Sequence, residues 1–506
     1  MPPENQIEVT QFLTRALAGD GTVERLSTHI SSLFLAGNRV FKCKRAVRFP
    51  YLDFTTPERR LAACRAELAL NRRTAPALYR GVRRITREPE GGLTFDGAGE
   101  LVDAVVEMQR FPDADLFDAM ARSGRLGPAH IADLAHRIAA FHAGAAISRD
   151  HGGAAAIADL VAVNDSALRS AALVPDAEVQ ALSARFRVAL QRHGPLLDAR
   201  RAAGKVRRCH GDLTLRNICL FEGVPMPFDC IEFSEDIATT DVLYDLAFVL
   251  MDLWHRARFD LANLLFNRYL DEADETDGIG LLPFLMALRA VIRAHVTAAQ
   301  AADGPDAAVT TAEALAYLDL AKSLLAEAPA RLLAIGGFSG SGKSTVAASV
   351  APRLGQAPGA RILASDRIRK RLHGVDALTR LPPSAYEPAV SDQVYATLRE
   401  ETGRVLSAGH CAVADAVFDR PGARAAIAAT AGDLGVGFCG VWLEAPASTL
   451  ARRVEERSND PSDATVSVLS GQLARDPGAI VWHRIDAGQP LDALRDAVLS
   501  LCGAGR

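Results

Sequence analysis

The chain has 506 residues, enough for about three domains or for two large ones. Hydrophobic residues make up 49% and charged residues 23%, which is typical of globular proteins and excludes a largely disordered chain. The 57 Lys and Arg nearly balance the 61 Asp and Glu, so the net charge of −4 gives no general field that attracts nucleic acid and argues against a nucleic-acid partner. We find no uninterrupted apolar run of the roughly 18 residues that span a membrane, and no signal-peptide pattern, which predicts a cytoplasmic protein without a membrane partner. The eight cysteines form no C-x-x-C pair, which favours buried free thiols.

The N-terminal half begins with short strands and one helix. Residues 31–36 and 39–44 predict a hairpin that turns at Gly37-Asn38. Residues 57–73 predict a helix, because apolar side chains recur there at helical spacing. A buried strand is predicted over 101–108, and helical patterns then dominate from 115 to about 201 and again to about 327. This order predicts a small β-rich lobe followed by a helical lobe.

A phosphoryl-transfer motif lies between the helical stretches. His210-Gly211-Asp212 with Asn217 keeps the H-x-D-x-x-x-x-N spacing of a kinase catalytic loop. A strand and a turn follow and lead to Asp229. In this chemistry Asp212 accepts the proton of the acceptor hydroxyl, while Asn217 and Asp229 bind Mg²⁺.

A kinase lobe also needs a lysine on a strand and a glutamate on the following helix. Lys42 lies on the predicted strand 39–44 and Glu67 on the predicted helix, so we assign this pair to nucleotide binding. Lys44 lies on the same strand face as Lys42, and Glu232 follows Asp229 by three residues and supports the same cluster.

On these residues the N-terminal half resembles the aminoglycoside phosphotransferase and choline-kinase branch of the protein-kinase-like fold. The resemblance implies that Asp212 is the catalytic base, that Asn217 and Asp229 are metal ligands, and that Asp241 and Asp245 are structural. Two departures stand out. Residues 27–31, before Lys42, lack a glycine-rich loop, and Thr214 stands where the branch often has histidine.

The C-terminal half predicts a parallel α/β domain. We place a linker at residues 328–331, between domains 1–327 and 332–506, because a helix ends there and an apolar strand begins. Further strands are predicted at 361–365, 411–414, 437–443 and 479–484, with helical patterns between them.

The strongest motif in the chain opens this half. Residues 337–344 match G-x-x-x-x-G-K-[ST], the P-loop or Walker A pattern, between a strand and a helix. Backbone N–H groups of such a loop converge on phosphate oxygens, Lys343 neutralises the β- and γ-phosphates, and the Ser344 hydroxyl binds Mg²⁺. The predicted nucleotide-binding residues are Gly337, Phe338, Ser339, Gly340, Ser341, Gly342, Lys343, Ser344 and Thr345.

Charged residues after other strands complete this predicted site. Asp366 and Asp415 end two strands, where ligands of open α/β sheets bind, so one should accept a hydroxyl proton and the other support Mg²⁺. Three arginines on one helix are candidates for stabilising the transferring phosphoryl group, namely Arg452, Arg453 and Arg457.

With Arg369 and Arg424 as substrate or metal support, this half resembles the small P-loop kinases of the zeta-toxin, polynucleotide-kinase and gluconate-kinase-like group. That resemblance implies that Asp366 is the acid that faces the substrate. The whole chain resembles the two-domain proteins known as bifunctional aminoglycoside phosphotransferase/ATP-binding proteins.

The sequence therefore predicts an ATP- and Mg²⁺-dependent kinase with two nucleotide sites that phosphorylates hydroxyl groups of small molecules. Two alternatives stay open: an N-terminal pseudokinase or binding module that regulates one active P-loop kinase, and a P-loop ATPase switch.

Aminoglycosides are polycations that need clustered carboxylates. An acidic stretch exists, but such runs are usually solvated; its members are Asp252, Asp260, Asp271, Glu272, Asp274, Glu275 and Asp277. The acceptors and the oligomeric state are not specified by the sequence.

Overall fold

The computed structural model describes residues 4–49, 52–301, 307–457 and 460–503. The chain forms two compact units. Unit 1 comprises Met1–Asp159 and His193–Asp252, and unit 2 comprises Leu160–Arg192 and Leu253–Arg506. The last break between the units falls after Asp252, whereas the sequence places its domain boundary at 328–331. Helix α9, which lies between these two points, packs against β14 and α12, so by packing it belongs to unit 2.

The secondary-structure elements are numbered in chain order. Up to Asp241 they are α1 (Glu4–Leu17), β1 (Val23–Ser27), β2 (Ser31–Ala36), β3 (Arg39–Lys44), β4 (Arg48–Phe49), β5 (Leu52–Asp53), α2 (Pro57–Asn71), β6 (Tyr79–Arg87), β7 (Leu93–Phe95), β8 (Glu100–Gln109), α3 (Phe117–Arg122), α4 (Pro128–Gly144), α5 (Gly153–Ala171), α6 (Asp176–Ala202), β9 (Val206–Arg208), β10 (Ile218–Phe221), β11 (Val224–Pro227), α7 (Glu235–Ala238) and β12 (Thr239–Asp241). The remainder are α8 (Val242–His255), α9 (Phe259–Glu272), α10 (Leu282–Ala301), α11 (Ala307–Leu324), β13 (Arg331–Gly336), α12 (Lys343–Val350), β14 (Arg361–Ala364), α13 (Ser365–Leu372), α14 (Pro388–Ser407), β15 (Ala412–Asp415), α15 (Pro421–Asp433), β16 (Gly437–Glu444), α16 (Ala447–Glu455), α17 (Val466–Leu473), β17 (His483–Asp486) and α18 (Leu491–Leu501).

Unit 1 contains the predicted antiparallel sheet, with strand order β1-β2-β3-β8-β6-β7. The hairpin β2–β3 has the predicted bounds and turns at Gly37-Asn38. Helix α2 begins where Thr56 accepts a hydrogen bond from the Arg59 N–H and Pro57 fixes the first turn. One face of α2 is buried, and its residues recur every three or four positions, namely Arg60, Cys64, Glu67 and Asn71.

Unit 2 contains the predicted parallel sheet, with strand order β14-β15-β13-β16-β17. The central strand β13 is buried from Leu332 to Gly336 and pairs with β15 on one side and β16 on the other. The strand predicted at 479–484 is the one clear misplacement, since β17 covers only His483–Asp486. The Ala479 carbonyl accepts a hydrogen bond from Arg424, a side chain, and not from a neighbouring strand. All eight cysteines are free and buried, as predicted.

One segment among the described residues, Thr276–Gln300, is apolar and long enough to cross a membrane by length and composition. The most apolar 18 residues of this segment are 72% buried inside the protein. The core helix of a folded domain can meet the same criteria of length and composition. Helix α10 in this segment packs along α11.

Candidate active sites

The lysine that the sequence assigned to phosphates lies between two carboxylates in unit 1. Lys42 Nζ is 2.8 Å from Glu67 Oε1 and 2.5 Å from Asp229 Oδ1. Burial opposes a charge on Lys42, but Asp229 and Glu67 outweigh it and hold the pKa of this lysine well above its usual value. Glu67 is fully buried, whereas the Asp229 side chain is 42% exposed. Glu67 therefore fixes the lysine from inside, and Asp229 faces the open side.

A second lysine shares the same glutamate. Lys44 Nζ lies 2.5 Å from Glu67 Oε2 and also bonds Glu232, and its side chain is 1% exposed. Burial raises the pKa of Glu67, but the two ammonium groups more than compensate, so the net pKa is lowered. Each oxygen of Glu67 thus holds one lysine of β3, and side-chain alternation along the strand places both lysines on the face toward α2.

The catalytic-loop residues are held together by hydrogen bonds. Asn217 Nδ2 donates to the Asp212 carbonyl at 2.9 Å and to Asp212 Oδ2 at 2.8 Å. The loop is also fixed from below, because Asp245 accepts from the N–H groups of His210 and Gly211 and lies 3.1 Å from His142 Nε2. Asp245 is fully buried, which agrees with a structural part for this residue.

The turn that stands in place of a glycine-rich loop is closed by its own hydrogen bonds. The Thr28 N–H donates to the Ser31 carbonyl, and the Ser31 N–H donates back to Thr28 Oγ1 at 3.0 Å. Arg45 Nη1 then donates to the Thr28 carbonyl at 2.8 Å. Amides used within the turn are not available to phosphate oxygens.

In unit 2 the backbone of the P-loop adopts left-handed conformations that its glycines allow. Gly337, Gly340 and Gly342 all have positive φ, at 140°, 84° and 86°. Ser341 Oγ is buried and has no hydrogen-bond partner among the residues that the structure describes. Lys343 Nζ, at the head of α12, donates to the Phe338 carbonyl at 3.1 Å and closes the loop.

The two strand-end carboxylates lie near this lysine. Ser344 Oγ donates to Asp415 Oδ2 at 2.6 Å, and Asp415 is buried. Burial raises the pKa of Asp415 to about 6, despite Lys343 and the Ser344 hydroxyl. Burial also raises the pKa of Asp366, while Ser462 and Lys343 act in the opposite direction. Asp366 and Asp415 therefore share one charged cluster with Lys343.

The three candidate arginines of α16 and its end differ in their surroundings. Arg452 is exposed and pairs with Glu456 one turn away, and Arg453 donates to the Ala487 carbonyl. Arg457 lies 3.5 Å from Asp460, and its charge acts on Lys343. Arg457 Nη1 is buried without a hydrogen-bond partner among the described residues, so it offers a donor to a ligand.

Arg369 and Arg424 are both buried and donate to main-chain carbonyls. Arg369 Nη1 bonds the Ala385 carbonyl at 2.6 Å, with its guanidinium over the Tyr386 ring. Arg424 donates to the carbonyls of Phe418, Pro477 and Ala479. Both arginines hold loops in this structure, and their part in substrate binding stays a prediction.

A cavity of about 380 Å³ lies beside the end of α16, and Arg457, Asp460 and Ser462 line it. Ser462 is also close enough to Asp366 to lower the pKa of that carboxyl. Asp463, another lining residue, accepts from Lys370 Nζ at 2.5 Å and from the Tyr386 hydroxyl at 2.5 Å. Lys370 is 1% exposed, so this ion pair fixes the cavity wall to α13. Sequence reasoning missed Ser462 and Asp463, because both lie about 90 residues from their partners and belong to no motif.

Members of the acidic stretch pair with arginines inside unit 2. Asp271 lies 2.8 Å from Arg361 and 3.2 Å from Arg367, and Asp274 lies 2.9 Å from Arg404. Carboxylates that neutralise arginines offer little net charge to a polycationic acceptor.

The donor atoms suit ATP and Mg²⁺ at both places. In unit 1 the Asn217 amide nitrogen is used by Asp212, which leaves the amide oxygen, together with the Asp229 carboxylate, as the hard oxygen donors that Mg²⁺ prefers. In unit 2 the Ser344 hydroxyl and the Asp415 carboxylate supply the same donor chemistry. The buried Ser341 hydroxyl fits a phosphate acceptor.

Comparison with known proteins supports the two halves separately. The "Phosphotransferase enzyme family" matches residues 36–279, and the "AAA domain" family matches residues 332–476. A gluconokinase of Sinorhizobium meliloti 1021 is similar over 35% of this chain and 94% of its own, at 24% identity and a TM-score of 0.25. The GDP complex of an aminoglycoside 2'-phosphotransferase-IIIa mutant is similar over 63% of this chain and 97% of its own, at 15% identity and a TM-score of 0.37.

A full-length relative also matches. The "Uncharacterized protein Rv2004c" of Mycobacterium tuberculosis (strain ATCC 25618 / H37Rv) is 30% identical over 473 residues, which are 92% of each chain. The two family matches make the protein a kinase-type phosphotransferase. This chain itself joins a phosphotransferase-family domain to a P-loop kinase-like domain, and it belongs to the family of this mycobacterial protein.

Proposed function

We propose that the chain carries two separate Mg·ATP sites and that each transfers the γ-phosphoryl group to a hydroxyl of a small molecule. The observation that carries the proposal is that each unit has its own lysine set against its own carboxylates. Unit 1 has Lys42 with Glu67 and Asp229, and unit 2 has Lys343 with Asp366 and Asp415. Bound Mg²⁺ would neutralise charge on the phosphates at either site.

In unit 1 the proton acceptor is Asp212. The Asn217 amide holds its Oδ2, so the carboxylate stays oriented while a hydroxyl approaches the other oxygen. Lys42 binds phosphate oxygens while Glu67 keeps its position, and Asp229 is released toward the metal.

In unit 2 the proton acceptor is Asp366. A carboxylate with a raised pKa is a better base near neutral pH than an ordinary one, and burial supplies that shift. The cavity of about 380 Å³ that Arg457 and Ser462 line has room for a small acceptor, and Ser462 also acts on the pKa of Asp366. The unpartnered Arg457 Nη1 donates to the phosphoryl oxygens as their charge spreads.

The test is ATP-dependent phosphorylation of a metabolite mixture by the full chain, followed by mass spectrometry. The variants Asp212→Ala and Lys343→Ala should each remove a different set of phosphorylated products, and the double variant should remove both sets. If neither variant loses any product, the two-site proposal fails. ATP hydrolysis without a phosphorylated acceptor would instead indicate a P-loop ATPase switch.

One observation favours a second candidate, in which unit 1 binds ligands without catalysis. The turn at 28–31 uses its own amides, so it offers no glycine-rich cover to phosphates. Titrating Mg·ATP into the full-length Lys343→Ala variant separates the candidates. An active unit 1 is supported if adding Lys42→Met abolishes Mg·ATP binding and if product formation requires Asp212. Mg·ATP binding without product formation supports the binding module.

A further inference from the structure

Helix α9 carries three polar residues at a spacing of four, Asn263, Asn267 and Asp271. This spacing places them on one face of the helix. Asn263 and Asn267 are each 2% exposed. Within unit 2 this face contacts β14, an edge strand of the parallel sheet, and the start of α13. The motifs of the two candidate sites do not use these residues.

The two asparagines bond β14 and the residues directly before it. Asn267 Oδ1 accepts from the Ile362 N–H at 2.7 Å, while its Nδ2 donates to the Ala360 carbonyl at 3.2 Å. Asn263 Nδ2 donates to the carbonyls of Pro358 and Ala360, both at 3.0 Å. An edge strand presents unpaired N–H and C=O groups, and the Asn267 carboxamide accepts from the Ile362 N–H as a neighbouring strand would. Helix α9 thus sets the position of β14.

Asp271 extends the same contact to the helix that carries the candidate base. Its carboxylate lies 2.8 Å from Arg361 in β14 and 3.2 Å from Arg367 in α13, and it also pairs with Arg268. Arg367 follows Asp366 directly in the first turn of α13. Burial raises the pKa of Asp271, but Arg361, Arg268 and Arg367 outweigh it and keep the carboxylate charged.

We propose that Asp271 is a positioning residue for the P-loop site, because it ties the start of β14 through Arg361 and the first turn of α13 through Arg367 to α9. The inference rests on the proposed function for the site of Lys343. Without the carboxylate, three partly buried guanidinium groups would face one another, and their repulsion would displace the first turn of α13. Asp366 would then move relative to Lys343, while the P-loop itself keeps its contacts.

The first test follows amide hydrogen exchange in the full chain and does not depend on turnover. Asp271→Asn should speed exchange in 361–372, whereas Asp274→Asn should leave it unchanged. Asp274 is the matched control, since it lies three residues on and pairs with an arginine of unit 2 at an exposed position. Equal exchange in Asp271→Asn and the parent overturns the proposal.

The second test separates binding from chemistry. In an Asp212→Ala background, the probe is Mg·ATP turnover that depends on Lys343. We expect kcat of Asp271→Asn to fall by roughly a hundredfold, as for a base displaced by about 1 Å, with KM for ATP changed less than about twofold. Adding Arg367→Met should restore part of kcat, because it removes one of the repelling charges. Equal losses in kcat and ATP binding, or no recovery, overturn the positioning role.

The two tests keep the proposals distinguishable. If the parent shows no turnover that depends on Lys343, the proposed function of that site fails. Faster exchange confined to 361–372 would still support the tie between Asp271 and α13, and unchanged exchange would refute it.

Discussion

Replacing Lys44 by methionine should separate the two lysines of β3 into a stabilising one and a catalytic one. Lys44 is 1% exposed between Glu67 and Glu232, whereas Lys42 is 12% exposed and reaches the more open Asp229. Methionine keeps most of the side-chain volume, so the change removes charge and leaves little cavity. The buried Glu232 then loses the ammonium group that it bonds.

Removing one partner of a buried ion pair costs about 3–5 kcal/mol, because the other charge stays buried without compensation. Glu67 keeps Lys42 in this variant, so we expect the lower end, about 3 kcal/mol. Since every 1.4 kcal/mol is a factor of ten, amides of β3 and α2 should exchange roughly a hundred times faster when they open locally. Exchange is the appropriate assay, because a chain of two compact units need not unfold in one transition.

Two variants check this reasoning. Lys44→Met combined with Glu232→Gln should recover part of the protection, since no uncompensated carboxylate remains. Lys42→Met should lose ATP turnover at the unit 1 site with a smaller change in exchange. The reasoning is refuted if Lys44→Met exchanges as slowly as the parent, or if the added Glu232→Gln brings no recovery.

Two further predictions concern unit 2. Gly340→Ala should abolish nucleotide binding at the P-loop, because its Cβ would lie 2.4 Å from the Leu450 carbonyl oxygen. At Gly342 an added Cβ meets no protein atom within 4 Å, so Gly342→Ala should cost only the roughly 1–2 kcal/mol of folding free energy that alanine loses in left-handed backbone. Mg·ATP calorimetry that finds equal affinities for the two variants contradicts this prediction. Burial lowers the pKa of His410 to about 4, although its Nε2–H donates to the Gly359 carbonyl. In the unfolded chain the pKa of this histidine is the ordinary value of about 6.5. Between these two pH values the unfolded chain therefore binds a proton at His410 and the folded chain does not. Stability should therefore be full above about pH 6.5 and fall by about 3 kcal/mol toward pH 4. Urea unfolding followed by the three tryptophans, all in unit 2, should show this slope, and His410→Gln should flatten it.

The local chemistry of both sites is predictable from sequence because it depends on short spacings. The P-loop needs glycines at fixed positions before a lysine, and the catalytic loop needs Asp212 five residues before Asn217. The hairpin β2–β3 was also predicted with its observed bounds, since its turn residues and its apolar pattern are local signals. Interactions within a few residues leave such signals in the chain itself.

Ion-pair partners that lie far apart in the sequence depend on the tertiary structure. Helix α2 places one oxygen of Glu67 against Lys42 and the other against Lys44, and this arrangement sets which lysine of β3 bonds Asp229. Both lysines can reach Glu67, because side chains alternate along the strand. Asp271 belongs to a stretch with the composition of a solvated acidic run, yet packing half-buries it among arginines that lie up to 96 residues away. Sequence therefore determined which groups are candidates for phosphoryl transfer, and folding decided which charges neutralise one another, because ion pairing depends on distance in space and not on separation along the chain.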